Sequence, residues 1–294
     1  MSNPLPAVVV TGASSGIGLA IARRLSQSGF HVFAGVRNLS PASGPADSPH
    51  LSEILLDVTQ PESLAAARRD VESQLRGTGV FALINNAGIG DLIPLEFTPM
   101  DRFRHILEVN LFGVLAATQE FLPLLHQGKG RIVNIGSVGG MVTIPFAASL
   151  TASKHAIESL SDALRLELYA AGLHVTCIQP ASINSGSAEK LAAQTEATVA
   201  GLPPEGRRRY GDVLRKFSRI MLQSETGGSS PDVVAQAVLE VLRAKNPPTR
   251  RLVGKDRHLM KFLARGLPDA VRDAIFRRLF LGHPTFGSMP GRGS

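Results

Sequence analysis

The sequence predicts an α/β fold, a doubly wound parallel sheet in three layers with an α-rich C-terminal appendage, on three observations. Val8-Val9-Val10 is a β-branched run, the composition of a strand buried on both faces, and a glycine-rich turn closes it, Thr11-Gly12-Ala13-Ser14-Ser15-Gly16-Ile17-Gly18. Behind the turn, Leu19, Ile21, Ala22 and Leu25 take up helical spacing, and Gly29 ends the run. Strand-like and helix-like runs then alternate as far as Ile178, the pattern of parallel strands joined by crossover helices. The 294 residues, 44% hydrophobic and 19% charged, suffice to bury the core of one large domain, or of a domain with an appendage.

The elements follow in order. The second strand is His31-Val32-Phe33-Ala34, running to Gly35-Val36-Arg37, and Asn38 to His50 is a loop rich in Pro, Ser, Gly and Ala. The third strand is Ile54-Leu55-Leu56-Asp57-Val58, after which Thr59-Gln60-Pro61-Glu62 has the form of a capping box opening a helix through Leu75. Phe81-Ala82-Leu83-Ile84 is the fourth strand and leads into Asn85-Asn86-Ala87-Gly88. Thr98-Pro99-Met100-Asp101 caps a helix that contains Glu108-Val109-Asn110. The fifth strand, Ile132-Val133-Asn134-Ile135, precedes Gly136-Ser137. A helix over Ala152 to Ala170 comes next, then the sixth strand, His174 to Ile178. Ser230-Pro231-Asp232 starts a further helix with Pro in its first turn, and a last strand lies near Arg251-Leu252-Val253.

Strand, glycine turn and helix in that order form a phosphate cradle. Gly12 allows the turn, Gly16 lets backbone approach a pyrophosphate, and Gly18 lets helix pack on strand, while the helix N-terminus offers unpaired N–H groups to the anion. An ordinary βα turn that happens to hold glycines is the competing reading.

Composition narrows the class. No apolar run is long enough to span a bilayer, and Met1 to Pro6 lack the basic region and cleavage site of a signal peptide. The single cysteine, Cys177, lies in an apolar strand-like run and reads as a core residue of a reducing compartment, so a cytoplasmic location is expected. The net charge is +7. It concentrates late in the chain, at Arg207-Arg208-Arg209 and from Arg250 onward, with no nucleic-acid motif and few stacking aromatics, so nucleic acid is not an expected partner. Residues 1–254 are expected to form the main domain, and residues 255–294 an amphipathic basic tail. In the tail Leu259, Phe262, Leu263, Leu267, Val271, Ile275, Phe276, Leu279 and Phe280 alternate with Lys261, Arg265, Arg272, Arg277 and Arg278. Two readings stand for it: packing over a pocket or a second subunit, and peripheral contact with an anionic membrane.

The Gly-x-x-x-Gly-x-Gly spacing, with Thr11 and the Ser14-Ser15 pair, resembles the cofactor turn of the short-chain dehydrogenase/reductase family, and Asn85-Asn86-Ala87-Gly88 resembles its second signature. The resemblance covers residues 5–185 and extends more weakly through the final strand. It implies a Rossmann-like fold that binds a nicotinamide dinucleotide. By resemblance, Gly12, Ser14, Ser15, Gly16, Ile17 and Gly18 surround the pyrophosphate and Asp57 with Val58 meets the adenine. Asn86, Ala87 and Gly88 line the groove, and Pro180 and Ile183 lie at the nicotinamide. NAD-selective members carry an acidic residue at the end of the second strand. Here Val36 and Arg37 stand there, and a cation favours a 2′-phosphate, so NADP(H) is the expected cofactor; in the competing reading Arg37 faces solvent. Ser137 matches the substrate-orienting serine, Asn110 the helix-kinking asparagine of a proton relay, and Lys154 the lysine that holds the nicotinamide ribose. For Asn110 the plain alternative is a mid-helix side chain paired with backbone. Residues 182–225 correspond to the family's substrate lid, Met141, Val142, Ile144, Pro145 and Phe146 read as an apolar pocket wall, and a homodimer or homotetramer is expected; no metal is.

The family signature Tyr-x-x-x-Lys is broken. Lys154 is present, but four residues before it stands Leu150, at the expected spacing from Ser137, and the only tyrosines are Tyr169 and Tyr210. A leucine has no proton to give, and loss of a positioned acid costs about 10²–10⁴-fold in rate. Ser149 and Thr151 flank the gap and, on an extended backbone, point to the opposite face. His155 is expected to point away from the lysine. Ala181 also replaces the glycine usual after Pro180, which an alanine tolerates at negative φ. The expectation is an NADP(H)-binding enzyme acting on an apolar oxygenated small molecule, such as a steroid-like or polyketide-like ketone or alcohol, with ordinary redox chemistry impaired. The alternatives are a repurposed non-redox cyclase or isomerase and a catalytically silent cofactor-binding protein.

Overall fold

The β-branched runs pair as a parallel sheet in a computed structural model that describes residues 4–39, 48–75, 77–186 and 188–281. Its strands are β1 (Ala7–Val10), β2 (His31–Val36), β3 (Leu51–Leu55), β4 (Ala82–Asn85), β5 (Arg131–Ile135), β6 (His174–Pro180) and β7 (Arg250–Val253). They lie in the order β3-β2-β1-β4-β5-β6-β7. The order reverses beside β1, and that reversal opens a crevice at the carboxyl ends of β1 and β4. The helices are α1 (Gly16–Ser26), α2 (Pro61–Leu75), α3 (Met100–Leu107), α4 (Gly113–Gln127), α5 (Ala148–Glu167), α6 (Ala188–Gly201), α7 (Pro204–Thr226), α8 (Asp232–Arg243), α9 (Arg257–Arg265) and α10 (Asp269–Phe276).

The valine run of β1 follows from burial on two faces. Val8 and Val10 pack with Ile21 and Leu25 of α1 and Val238 of α8, whereas Val9 packs with Val71 of α2 and Phe121 of α4. Alternate residues thus enter opposite layers, and both layers are apolar. The doubly wound class and the helical C-terminal part are as the sequence predicts.

Several boundaries differ. β3 ends at Leu55, three residues before the expected limit, because it pairs residue for residue with β2, Val32 against Leu51 through Val36 against Leu55. Leu56-Asp57-Val58 therefore belongs to the turn into α2. The expected capping box is replaced by an aspartate turn: Asp57 Oδ1 accepts from the Thr59 N–H (2.9 Å) and hydroxyl (2.8 Å), and Ser63 Oγ accepts from the Asp57 N–H. At α3 the cap position is Pro99, and the Thr98 hydroxyl donates back to the Pro94 carbonyl. At α8 Pro231 sits one position earlier than expected, at the cap, while Ser230 Oγ accepts the Asp232 N–H. α5 begins at Ala148, four residues early, and this changes the reading of the site.

Beyond β6, α6 and α7 lie over the carboxyl ends, with Val199, Leu214 and Phe217 packed on Leu92 and Ala147. The tail, α9 and α10 with a π turn at Arg277–Leu281, folds back on the same region. Leu263 and Phe276 pack with Val142, and the Phe280 ring lies 5.3 Å from Phe217. The other half of the amphipathic pattern, Leu259, Phe262, Val271 and Leu279, remains exposed. Residues 282–294 of the expected tail, and most of the loop at 38–50, lie outside the described residues. Among the described residues no helix is long and apolar enough to cross a membrane.

Candidate active site

The glycine turn has the shape a pyrophosphate needs. Gly12 and Gly16 adopt left-handed φ values of 65° and 55°. A Cβ on Gly18 would stand 2.2 Å from the Gly12 carbonyl oxygen, so only glycine lets α1 seat on β1. Thr11 and Asn86 brace the turn from below. Thr11 Oγ1 accepts from the N–H groups of Asn86 (3.0 Å) and Ala87 (3.1 Å), and Asn86 Nδ2 donates to the Thr11 and Gly12 carbonyls. Ser14 and Ser15 are exposed, and the Ser15 hydroxyl, at the cap of α1, bonds none of the first-turn N–H groups. Those groups, Ile17 among them, remain available to an anion. This cradle, which side chains would fill, fits a dinucleotide pyrophosphate.

Around it the other expected contacts converge on the carboxyl ends. Arg37 is exposed just past β2, Asp57 is half-buried and Val58 is buried, packed where a Cβ on Gly113 would meet it. Gly88 follows β4, and a Cβ there would lie 3.7 Å from Lys154 Nζ. Pro180 ends β6; Ala181 keeps a negative φ and donates its N–H to the Val253 carbonyl, so the replaced glycine costs the backbone nothing. Ile183 is bridged to Ser229. Ser185, which sequence reasoning passed over, lies directly on the cradle: its carbonyl oxygen would be 3.2 Å from a Cβ on Gly16. Its place five residues past Pro180, in a polar Ser-rich turn, was the available signal.

The reacting end is built on α5. Because α5 starts at Ala148, Ser149, Leu150 and Thr151 are helical, not extended, and Leu150 stands one turn before Lys154 on the same face. The Leu150 tip lies over Gly90, where a Cβ would meet its Cδ2 at 2.9 Å. Ser149 is buried and donates to Asp91 Oδ1 (3.0 Å), and Arg102 donates to Asp91 Oδ2 (2.8 Å). Asp91 and Arg102, missed in the sequence, join Ser149 to tie the segment after β4 to the first turn of α5. The Thr151 hydroxyl donates to the Ala147 carbonyl. Ser137 Oγ accepts the Gly139 N–H (3.0 Å), which leaves its own proton for another acceptor. Lys154 Nζ donates to the Ile135 carbonyl (2.9 Å). Burial holds its pKa below the ordinary lysine value, with Cys177 and Glu158 opposing.

Asn110 sits in a π turn, Glu108–Phe112, so the kink is as expected. Its side chain is fully engaged: Oδ1 accepts the Ile89 N–H (2.8 Å), and Nδ2 donates to the Ile89 carbonyl (2.8 Å) and to Ser153 Oγ (3.0 Å). It pairs with the Ile89 backbone and with the Ser153 hydroxyl.

Neither tyrosine stands at the Leu150 position. Tyr169 is 82% exposed beyond the C-terminal end of α5. The Tyr210 hydroxyl donates to Glu96 Oε2 (2.7 Å) at the surface, and its ring packs edge-on against Phe97 and Phe146. Phe146 has a left-handed φ of 64°, a strained conformation of about 1–3 kcal/mol. Its ring, T-shaped on Phe217, is what holds it. The expected pocket wall divides. Phe146 faces α7, but Met141, Val142, Ile144 and Pro145 line an open cleft of about 470 Å³ against Arg272, Phe276 and Arg277 of the tail, with His155 on its other side.

Comparison with known proteins agrees with this geometry. Residues 6–196 match the family model described as short chain dehydrogenase. Retinol dehydrogenase 5 of Homo sapiens is 34% identical over 91% of this chain and 86% of its own length. 11-beta-hydroxysteroid dehydrogenase type 2 of Oryctolagus cuniculus is 34% identical over 94% of this chain and 70% of its own. A solved short-chain dehydrogenase from Streptomyces avermitilis superposes with a TM-score of 0.74 at 25% identity, covering 96% of this chain and 98% of its own. Another, from Burkholderia cenocepacia J2315 in complex with NADP, does so with a TM-score of 0.67 at 26% identity, covering 94% and 98%. With the cradle, the Ser137 loop and the Lys154 helix assembled on one crevice, the chain belongs to the short-chain dehydrogenase family of oxidoreductases.

Proposed function

We propose that this chain binds NADP(H) and acts on an apolar oxygenated small molecule, a steroid-, retinoid- or polyketide-like alcohol or ketone. Ordinary hydride chemistry is slowed because Leu150 stands where a proton donor is needed. The observation that carries this reading is the position of Leu150 one helical turn before Lys154, beside an intact cradle and Ser137. When bound, the dinucleotide supplies or accepts hydride. The residues that would hold it are the turn from Gly12 to Gly18, Asp57 and Val58 at the adenine end, Asn86 to Gly88 along the groove, and Pro180 and Ile183 at the nicotinamide end. Arg37 would pair with a 2′-phosphate.

The chain's own part in the chemistry follows from its donors. Ser137 can donate one hydrogen bond to a substrate oxygen and so orient it, but an unactivated hydroxyl is a poor acid. Lys154, whose Nζ lies near Gly88 and the Ile135 carbonyl, would hold a ribose hydroxyl. Leu150 is an apolar wall. The relatives that act on steroids and retinol by name support an apolar substrate. So do the aromatic rings of Phe146, Tyr210 and Phe217 along α7.

The absence of a usable phenol, with Tyr210 committed to Glu96, favours a second reading: a non-redox cyclase or isomerase, or a catalytically silent cofactor-binding protein. One experiment separates these. The purified chain is titrated with NADPH and then assayed for NADP(H) turnover with lipophilic alcohols and ketones. Binding with slow turnover supports the first reading, binding with none supports the second, and no binding refutes both. A homodimer or homotetramer in the cytoplasm completes the proposal. Exposed Leu259 and Phe262 among Lys261 and Arg265 support contact of α9 with an anionic membrane surface.

A further inference from the structure

We propose that Glu225, at the end of the lid helix α7, is a positioning residue for the dinucleotide: it holds the Ser185 turn over the phosphate cradle and so completes the pyrophosphate site. The inference rests on the reading of the crevice as a dinucleotide site and adds a residue to it.

The segment that leaves β6 is stitched to the end of α7 and to the turn behind it. Ser182 donates its N–H to the Lys255 carbonyl (3.4 Å), and its carbonyl accepts the Ser229 N–H (3.0 Å). The Ser182 hydroxyl lies 2.8 Å from the Ser224 hydroxyl. The Asn184 N–H donates to the Ser229 carbonyl (2.9 Å). A Cβ on Gly228 would stand 2.8 Å from the Ser182 carbonyl oxygen, so the lack of one lets the two segments touch. The backbone pairing with Ser229 ends at Asn184. At the next residue a side chain takes over: the Ser185 hydroxyl donates to Glu225 Oε1 (2.7 Å). The Ser185 carbonyl oxygen and Cβ would in turn stand 3.2 and 3.7 Å from a Cβ on Gly16, the glycine that brings the cradle backbone to the pyrophosphate. Glu225 thus acts on the cradle through Ser185.

The placement is one that the helix by itself does not favour. Glu225 lies in the last turn of α7, where the helix dipole is negative and cations, not carboxylates, are stabilising. Lys255 Nζ brings positive charge to that end, donating to the Gly227 carbonyl (3.0 Å). A carboxylate close to a pyrophosphate is also unfavourable as a charge. What Glu225 offers the cofactor is therefore its acceptor oxygen, not its sign. The first turns of α7 have an anchor of their own. Glu96 accepts from Arg209 Nη1 at both oxygens (2.6 and 2.9 Å) and from the Tyr210 hydroxyl (2.7 Å). A Cβ on Gly206 would stand 2.8 Å from the Phe97 ring. Both anchors hold one helix, and of the two, Glu225 is the one bonded to a residue on the cradle.

The test compares two ligands at fixed pH and ionic strength: NADPH, titrated by fluorescence, and adenosine 2′-monophosphate, titrated by calorimetry, which carries no pyrophosphate. The proteins are the native chain, Glu225→Ala, Glu225→Gln, Ser185→Ala, the double variant Ser185→Ala/Glu225→Ala, and Glu96→Gln, with thermal melting recorded for each. Glu225→Ala should weaken NADPH by about 5–10-fold, the cost of ordering one freed residue at the moment of binding, and leave adenosine 2′-monophosphate unchanged. Glu225→Met, which fills the space without an acceptor, decides the question should Glu225→Ala not fold. Glu225→Gln keeps an acceptor for Ser185 and should stay within about twofold of the native chain. The double variant should bind no more weakly than Ser185→Ala, because the two side chains form one contact. Glu96→Gln should lower the melting temperature and leave both affinities in place. Unchanged NADPH affinity in folded Glu225→Ala or Glu225→Met overturns the proposal. So does a loss that adenosine 2′-monophosphate shares or that Glu96→Gln reproduces, the signature of a lid loosened as a whole. A loss in Glu225→Gln equal to that in Glu225→Ala, or a double variant weaker than Ser185→Ala, overturns it too. A native chain that binds no NADPH overturns the dinucleotide reading itself, and a native chain that binds while the Glu225 variants bind equally well overturns only the role of Glu225.

Discussion

Restoring the missing phenol is the sharpest perturbation available. In Leu150→Tyr the new ring starts from the first turn of α5, one turn before Lys154 and thus on the face of its ammonium. The leucine already spans the space above Gly90, whose lack of a Cβ leaves room for a side chain lying across it. A ring can follow that path with its hydroxyl beyond the present leucine tip. The neighbouring cation favours the phenolate and so lowers the phenol pKa, while Ser137 shares the substrate oxygen. A positioned general acid is worth about 10²–10⁴-fold, equal to about 3–5 kcal/mol of barrier. NADPH-dependent reduction of simple lipophilic ketones or quinones should therefore rise by that factor in kcat/KM, read as loss of NADPH absorbance. The variant's reduction rate should fall as pH rises through the phenol pKa, because reduction consumes the protonated form, and alcohol oxidation should show the opposite slope. Leu150→Phe supplies the ring without the proton and should gain nothing. Fast ketone reduction by the native chain would refute the reasoning, because another group would then be the acid. A Tyr variant that binds NADPH with no gain would refute it too, because the crevice would then have been reshaped beyond one residue.

Arg37→Ala should weaken NADPH by about 10–100-fold, the worth of charge-assisted hydrogen bonds, and leave NADH unchanged in a parallel fluorescence titration. Gly18→Ala drives a Cβ to 2.2 Å from the Gly12 carbonyl oxygen, so cofactor binding should vanish and the melting temperature should fall. Asp91→Ala leaves Ser149 and Arg102 without their acceptor and should cost about 1–3 kcal/mol by urea denaturation, a loss that a purely exposed ion pair would not show. The Asp162 carboxyl is held below its ordinary value, first by its hydrogen bond to Arg250. A depressed folded pKa adds stability above the unfolded value near 3.8, and this stability is lost as pH falls through the folded value. Arg250→Met should therefore flatten the acid limb of the stability curve below about pH 4, seen by thermal melts against pH.

The phosphate cradle was legible because its information is local. Glycines at positions 12, 16 and 18 are needed for backbone reasons that any chain would share, and a valine run buried on both faces has few other fates. The same locality singled out Leu150, which stands at the spacing from Ser137 and Lys154 where the family resemblance implies a tyrosine. Boundaries were less legible. The register of β3 is set by its partner β2, and α5 starts at Ala148, so Ser149, Leu150 and Thr151 are helical where the sequence reading began the helix at Ala152. The contacts between distant segments belong to tertiary structure alone. Asp91 meets Ser149 across 58 residues of chain, and Glu158 meets Arg250 across 92. No periodicity encodes such pairs, because they depend on which strand ends the winding brings together. Folding likewise decided the tail. Its apolar and basic residues read as one amphipathic pattern, but only packing divided Leu263 and Phe276, buried on Val142, and Phe280, half-buried on Phe217, from Leu259 and Phe262, left to the surface. Sequence therefore determines the local chemistry of cradle and gap; the assembled sheet determines which buried charges stand behind them, because burial and charge pairing exist only once the elements have met.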